Sequence, residues 1–223
     1  MDLLSHLLKA DPSSPRLTIY DEKVGARLDF SALTLDNWAA KVGNMLNEEF
    51  DLEEGNRILI DLPVNWHTVV IVLGALAAGV DVDLTSPASH TESDAEVVFT
   101  SLDRADIYQD AELVIVTEDP FGRGVVETGG TLPEGAVDFG PGVRFFGDQY
   151  PYPTAKLPEI LNGPIEATEG ARVLGTGWSE WAGFRRQVLE PLAVGGSTVI
   201  VAGMVGTERL SEIAEAEKID IRL

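Results

Sequence analysis

Gly175-Thr176-Gly177 follows a strand, Arg172-Val173-Leu174, and precedes a helical pattern, the place where a dinucleotide-binding loop would put its glycines. The position of the third glycine in such a loop is held by Glu180, whose charge opposes a pyrophosphate, so a tight strand-to-helix turn is the better reading. Gly177-Trp178-Ser179-Glu180-Trp181 carries the serine of a hydrolase elbow but ends on tryptophan. That chemistry also needs a histidine after the serine, and His6, His67 and His90 all precede it. The same three histidines show no metal-ligand spacing, and the absence of cysteine removes thiolate nucleophiles, zinc-thiolate sites and disulfides. Asp81 and Asp83 alternate on one strand and point to the same side. Paired carboxylates at a strand end are expected to be solvated or capping. Trp178, Trp181 and Phe184, three residues apart, read first as the inner face of a helix. No catalytic residue and no metal site is assigned.

The elements that hold these residues follow from periodicity. Residues 2–9 form a short helix, and residues 16–20 and 26–30 a hairpin around Lys23-Val24-Gly25. A helix over Thr34–Glu49 buries Leu35, Trp38, Ala39, Val42, Leu46 and Phe50, with Thr34 as its N-cap. Residues 58–63 form a strand and 66–78 an apolar helix capped by Asn65 and stopped by Gly79; a second strand runs to Leu84. This strand–helix–strand unit is the crossover that builds parallel sheets. Two further strands, 96–101 and 112–117, flank a short helix within 103–110. Residues 120–170 are rich in glycine and proline and read as loops with one hairpin, 137–146. A second α/β unit follows: strand 172–174, a helix over 179–193 kinked by Pro191, strand 197–201, helix 207–217 and strand 219–223.

The 223 residues carry 37 acidic and 16 basic side chains, a net charge of −21. Such a field repels phosphate backbones and anionic membranes, so neither nucleic acid nor membrane is an expected partner. The N-terminus lacks the pattern of a signal peptide, and the longest apolar run, Val69 to Val80, falls short of the roughly 20 residues of a membrane span. A cytoplasmic location is expected.

Several segments, in order, resemble the adenylate-forming (AMP-binding, acyl-CoA synthetase-like) ligases. Leu28-Asp29-Phe30-Ser31-Ala32-Leu33 is similar to that family's early L-T-Y-x-E-L motif, and Glu54-Gly55-Asn56-Arg57-Ile58 stands where it has G-D-R-V. Leu62-Pro63-Val64-Asn65 resembles L-P-N-S. Leu73-Gly74-Ala75-Leu76-Ala77-Ala78-Gly79 followed by Leu84-Thr85-Ser86-Pro87 resembles L-A-I-L-K-A-G and P-L-D-P. Residues 191–199 are similar to P-L-L-x-G-A-x-V-V-L. The chain also looks like short actinobacterial relatives of these ligases.

The resemblance implies an α/β fold, a mostly parallel sheet with helices on both faces, as in the N-terminal subdomains of those enzymes. It implies one domain over 1–223, or two subdomains, 1–118 and 171–223, joined by 119–170. It also places the family's phosphate loop, S-G-T-T-G-x-P-K-G, against Thr128-Gly129-Gly130-Thr131-Leu132-Pro133-Glu134-Gly135. That octapeptide is one residue short, and Glu134 takes the position of the lysine. A carboxylate there repels a phosphate by several kcal/mol in a shielded site, on the order of the Coulomb energy. Thr128, Gly129, Gly130, Thr131, Glu134 and Gly135 are thus either a degenerate nucleotide loop or a turn. By the same resemblance Trp178, Trp181 and Phe184 line an acyl or aromatic pocket. The family's later segments have no counterpart before Leu223, which implies a truncated homologue. The expected function is a non-catalytic binding or interaction module. The alternatives are a partial adenylate-forming enzyme completed by a partner chain, or a binder of an acyl or nucleotide ligand without turnover. No cofactor is expected; ATP and magnesium enter only if residues 128–135 still bind. Strand 219–223 leaves an open sheet edge, so a homodimer or a protein partner is expected to cover it.

Overall fold

The computed structural model describes residues 1–85, 93–108 and 110–223. Ser86-Pro87 of the resemblance and His90 lie outside the described residues. Contacts divide the chain into two compact units. The first is Asn37–Thr154 with Met1, and the second combines Asp2–Asp36 with Ala155–Leu223. The glycine- and proline-rich segment 119–170 is therefore shared, most of it belonging to the first unit, and residues 2–36 join the C-terminal part. The α/β fold with mostly parallel sheet is present, as two sheets, one in each unit.

In chain order the elements are α1 (Ser5–Ala10), β1 (Pro15–Asp21), β2 (Ala26–Ser31), α2 (Ala32–Glu48), β3 (Arg57–Asp61), α3 (Trp66–Ala78), β4 (Asp81–Thr85) and β5 (Val97–Thr100). A 3-10 turn, Leu102–Ile107, leads to β6 (Glu112–Ile115), β7 (Val137–Asp138), α4 (Phe139–Val143) and α5 (Leu157–Ile160). Then come β8 (Arg172–Gly175), α6 (Trp181–Phe184), a π turn (Arg185–Leu189), α7 (Glu190–Ala193), β9 (Ser197–Ala202), α8 (Thr207–Ala216) and β10 (Ile221–Arg222). Among the described residues no helix is long and apolar enough to cross a membrane.

The first unit's sheet has the order β4-β3-β5-β6-β7, with every neighbouring pair parallel. Its crossover helix α3 begins where Asn65 Oδ1 accepts the Thr68 amide at 2.9 Å and ends at Gly79, whose φ of 72° suits a left-handed cap. A Cβ at Gly74 would lie 2.4 Å from the Cβ of Val42, so only glycine lets α2 and α3 approach this closely. α2 starts earlier than expected. Ser31 Oγ accepts the Thr34 amide at 3.1 Å, and the amides of Ala32 and Leu33 donate to Ser14 and Pro12 carbonyls. Ser31, not Thr34, therefore caps this helix. The hairpin expected over 137–146 is also corrected. Val137–Asp138 pairs parallel with β6, and the chain then turns into α4, with Pro141 in a first turn where its missing N–H costs nothing.

His67 is fully enclosed in this unit's core, stacked on Trp66 at 3.8 Å and edge-on to Phe139. Burial lowers its pKa to about 3, against a weak upward pull from Asp119. Because the folded value lies below the unfolded 6.5, this contribution to stability is complete above pH 6.5 and is lost as pH falls toward 3. At pH 5 the loss is about 2 kcal/mol, from 1.36 kcal/mol per unit. Urea denaturation at pH 7 and pH 5 should show it, and His67→Phe should remove that part of the acid sensitivity. An unchanged difference in the variant would refute the assignment.

The second unit's sheet runs β10-β8-β9-β1-β2, parallel except for the β1–β2 pair. Glu217, just past α8, ties it together: Oε1 accepts from Tyr20 Oη at 2.6 Å and Arg27 Nε at 2.8 Å, and Oε2 from Arg172 Nη2 at 2.5 Å. Arg172 also donates to Thr18 and Ser197. The helical run 181–193 is broken by its π turn, where the Glu190 amide reaches back to Arg185. Pro191 offers no amide to the Gln187 carbonyl, which accepts the Thr198 hydroxyl at 2.7 Å instead.

Candidate functional site

The loop 128–135 lies in the first unit, turned in on itself. The amides of Thr128, Gly129 and Gly130 donate to the carbonyls of Gly124, Val125 and Val126, and the Thr128 hydroxyl donates to those of Gly124 and Val125. Thr131, Glu134 and Gly135 are exposed to solvent. Leu132 anchors the loop by packing on Ala105, Ile115 and Val125. Three of the amides that a phosphate would need are therefore already used within the chain.

The aromatic trio belongs to the second unit. Trp178 and Phe184 are buried edge-to-face at 4.8 Å, while Trp181 is half-exposed and stacked on Phe184 at 6.1 Å. The turn at Gly175–Gly177 is clamped by Gln187: its Oε1 accepts the Gly177 amide at 3.0 Å and its Nε2 donates to the Gly177 carbonyl at 2.6 Å. Asp81 and Asp83 do share a side, and Arg57 bridges them at 3.3 and 3.0 Å. Beside Arg57 lies an open, polar cleft of about 270 Å³, lined also by Leu52, Gly55, Asn56, Asp94 and Glu96. Among the described residues no group of three histidine, aspartate or glutamate side chains is placed to hold a metal ion.

A different arrangement carries the most chemistry. The chain leaves β3 for β4 on one side and later crosses to β5 on the other. In open parallel sheets, ligands enter the crevice outside the carboxyl ends of two such strands. The final residues of these strands form one register row, Thr85–Asp61–Thr100–Ile115–Asp138. Each of the five is buried. Neighbours in register point to the same face of a parallel sheet, so Asp61 and Thr100 stand side by side at the switch of strand order.

Asp61 is wholly enclosed. Its Oδ2 accepts from Arg104 Nε at 2.6 Å and from Tyr108 Oη at 2.7 Å. Both donors come from the 3-10 turn and the residue after it. Burial and the bond to Asp61 push Tyr108 up to about 12, so it remains a hydrogen-bond donor across the working pH range. The hydrogen bond to Asp61 likewise raises Arg104, and the pair is charge-balanced. Asp61 Oδ1 and Thr100 Oγ1, both buried, have no hydrogen-bond partner among the described residues. Unsatisfied buried polar atoms are costly and need a physical reason. Sequence reading passed over this site, although one signal was present: Asp61 interrupts Ile58-Leu59-Ile60 and Leu62 with a charge where an apolar residue would pack.

Three comparisons bear on these observations. No family model matches the chain. A protein of Mycobacterium tuberculosis (strain ATCC 25618 / H37Rv), described as a TIGR03089 family protein, is 35% identical over 231 aligned residues, covering 90% of this chain and 88% of that protein. The crystal structure of an acyl-CoA synthetase from Brucella canis superposes with a TM-score of 0.76 at 17% identity. The match covers 94% of this chain and 44% of the synthetase, so the chain spans less than half of that enzyme's length. At this identity the likeness is one of fold.

Proposed function

The chain belongs to the TIGR03089 family, and on that premise we propose a non-catalytic binding or interaction module built on the fold of acyl-CoA synthetases. One observation carries this reading. Where the adenylate-forming enzymes present amides and a lysine to the triphosphate, the segment of this chain that resembles that loop has amides at 128–130 that bond inward and, by the resemblance, Glu134 in place of the lysine. A carboxylate at that place opposes phosphate, and spent amides cannot cradle it. The outer position of β10 in its sheet supports the interaction part of the proposal, contact with a second copy or a partner protein.

A second reading, a partial adenylate-forming enzyme completed by a partner chain, is supported by the extent of the fold likeness. Thermal unfolding with and without ATP and magnesium separates the two. The expected result is an unchanged melting temperature, for the protein itself and for Glu134→Lys, because restoring the charge does not free the amides. A clear rise for the unmodified protein would overturn the reading of residues 128–135 as unable to hold a phosphate, and ATP–pyrophosphate exchange by it would overturn the proposal.

A further inference from the structure

We infer that Asp61 and Thr100, at the switch of strand order in the first unit, form a binding subsite for a neutral ligand with two adjacent hydroxyl groups. The inference rests on reading the chain as a binding module and names a ligand class for it. Four observations lead there. The two residues are register partners at the carboxyl ends of β3 and β5. Among the described residues Asp61 Oδ1 and Thr100 Oγ1 are both buried without a partner, while Oδ2 is fixed by two donors, so the carboxylate is held with one acceptor oxygen unused.

The third observation is charge. Arg104 balances Asp61, so a cation gains little there and an anion meets the carboxylate. A neutral donor fits: one hydroxyl donating to Oδ1, its neighbour bonding to Thr100 Oγ1. Adjacent strands lie about 4.8 Å apart, a span that two vicinal oxygens bridge with ordinary hydrogen bonds.

The fourth observation is access. Asp61 and Thr100 are enclosed, and Arg104 and Tyr108, both part-exposed, close over Asp61 from the turn Leu102–Ile107. Of that turn's six residues only Ala105 is buried, and Leu102 and Ile107 are 41% and 48% exposed. Its Ser101 makes no side-chain cap. The rest of the turn is lightly packed, so what holds it down is the pair of bonds from Arg104 and Tyr108 to Asp61, and it acts as the lid of the subsite when these exchange for bonds to the ligand.

The test titrates the full chain with D-ribose, adenosine and 2′-deoxyadenosine, followed by amide chemical shifts and calorimetry. Saturable binding of D-ribose or adenosine at millimolar concentration is expected, with shifts centred on residues 61, 100, 104 and 108. 2′-Deoxyadenosine, which has no adjacent pair of hydroxyls, should bind about ten-fold more weakly than adenosine, the loss of one hydrogen bond to a charged acceptor. Adenosine much tighter than ribose would identify the diol as that of a nucleoside; equal affinities would identify a free sugar or polyol. Thr100→Val, which keeps shape, should weaken binding by about the same factor while leaving the melting temperature near its original value. Failure of every probe to saturate, or saturation indifferent to Thr100→Val, would overturn the inference. A single internal water joining Oδ1 to Oγ1 in crystals grown with ribose would do the same. None of these outcomes depends on ATP and magnesium, so a failure here is distinct from failure of the non-catalytic reading.

Discussion

Replacing Arg104 by methionine is expected to cost about 3–5 kcal/mol, while replacing its partner Asp61 by leucine should cost nothing or add stability. The asymmetry follows from desolvation. Asp61 is fully enclosed and Arg104 is 17% exposed at a contact of 2.6 Å, so Arg104→Met leaves a buried carboxylate with only Tyr108 to hold it. Asp61→Leu instead completes an apolar strand and releases Arg104, whose long side chain can reach water. The double variant Asp61→Leu/Arg104→Met should then be far more stable than Arg104→Met alone. Urea denaturation of the three variants reads this directly through the midpoint at constant slope. Equal losses for both single variants would show that the pair serves stability. The expected outcome shows a charge kept at a cost that a binding site explains.

The second large effect lies in the other unit. Glu217→Gln should cost about 3 kcal/mol at pH 7, because it leaves Arg172, 19% exposed, facing a neutral amide and weakens the bonds from Tyr20 and Arg27. Burial pushes the Glu217 pKa up, but hydrogen bonds from Arg27, Tyr20 and Arg172 together outweigh it and bring it down to about 2. With a folded value below the unfolded 4.5, the stabilisation is complete above pH 4.5 and is lost as pH falls through 2. An acid titration of stability should therefore show a second loss, below that of His67, which Glu217→Gln abolishes. A variant that retains the loss between pH 4.5 and 2 would exclude Glu217 as its source.

Local rules read part of this fold well. Asn65, the apolar run and Gly79 mark α3 to the residue, because capping and a left-handed stop are chemistry within one turn. The hairpin 15–31 is equally local. Failures came where distant residues decide. Val137–Asp138 looked like the start of a hairpin, but its partner is β6, and Asp138 takes its bonds from the amides of Val125 and Val126. Pro191 signalled a kink. The relief is a π turn, with Thr198 answering the freed carbonyl, and neither is written in residues 179–193. Asp61 was the largest omission. Periodicity sorts residues into apolar and polar, and it cannot say that a lone carboxylate will meet Arg104, 43 positions later.

The division of the second unit has a consequence for the order of synthesis. β1 pairs with β2 on one side and with β9 on the other, Leu17 against Thr198. On the ribosome, at roughly 5–20 residues per second, β1 emerges some 10–35 s before β9 exists. The first unit, continuous from Asn37 to Thr154, is complete within that interval. The N-terminal hairpin must wait with the inner edge of β1 open, offering Leu17 and Ile19 to any extended chain nearby. Slowing translation after residue 154 should raise aggregation of the nascent protein, whereas a permuted gene that places residues 155–223 before residue 2 should lower it.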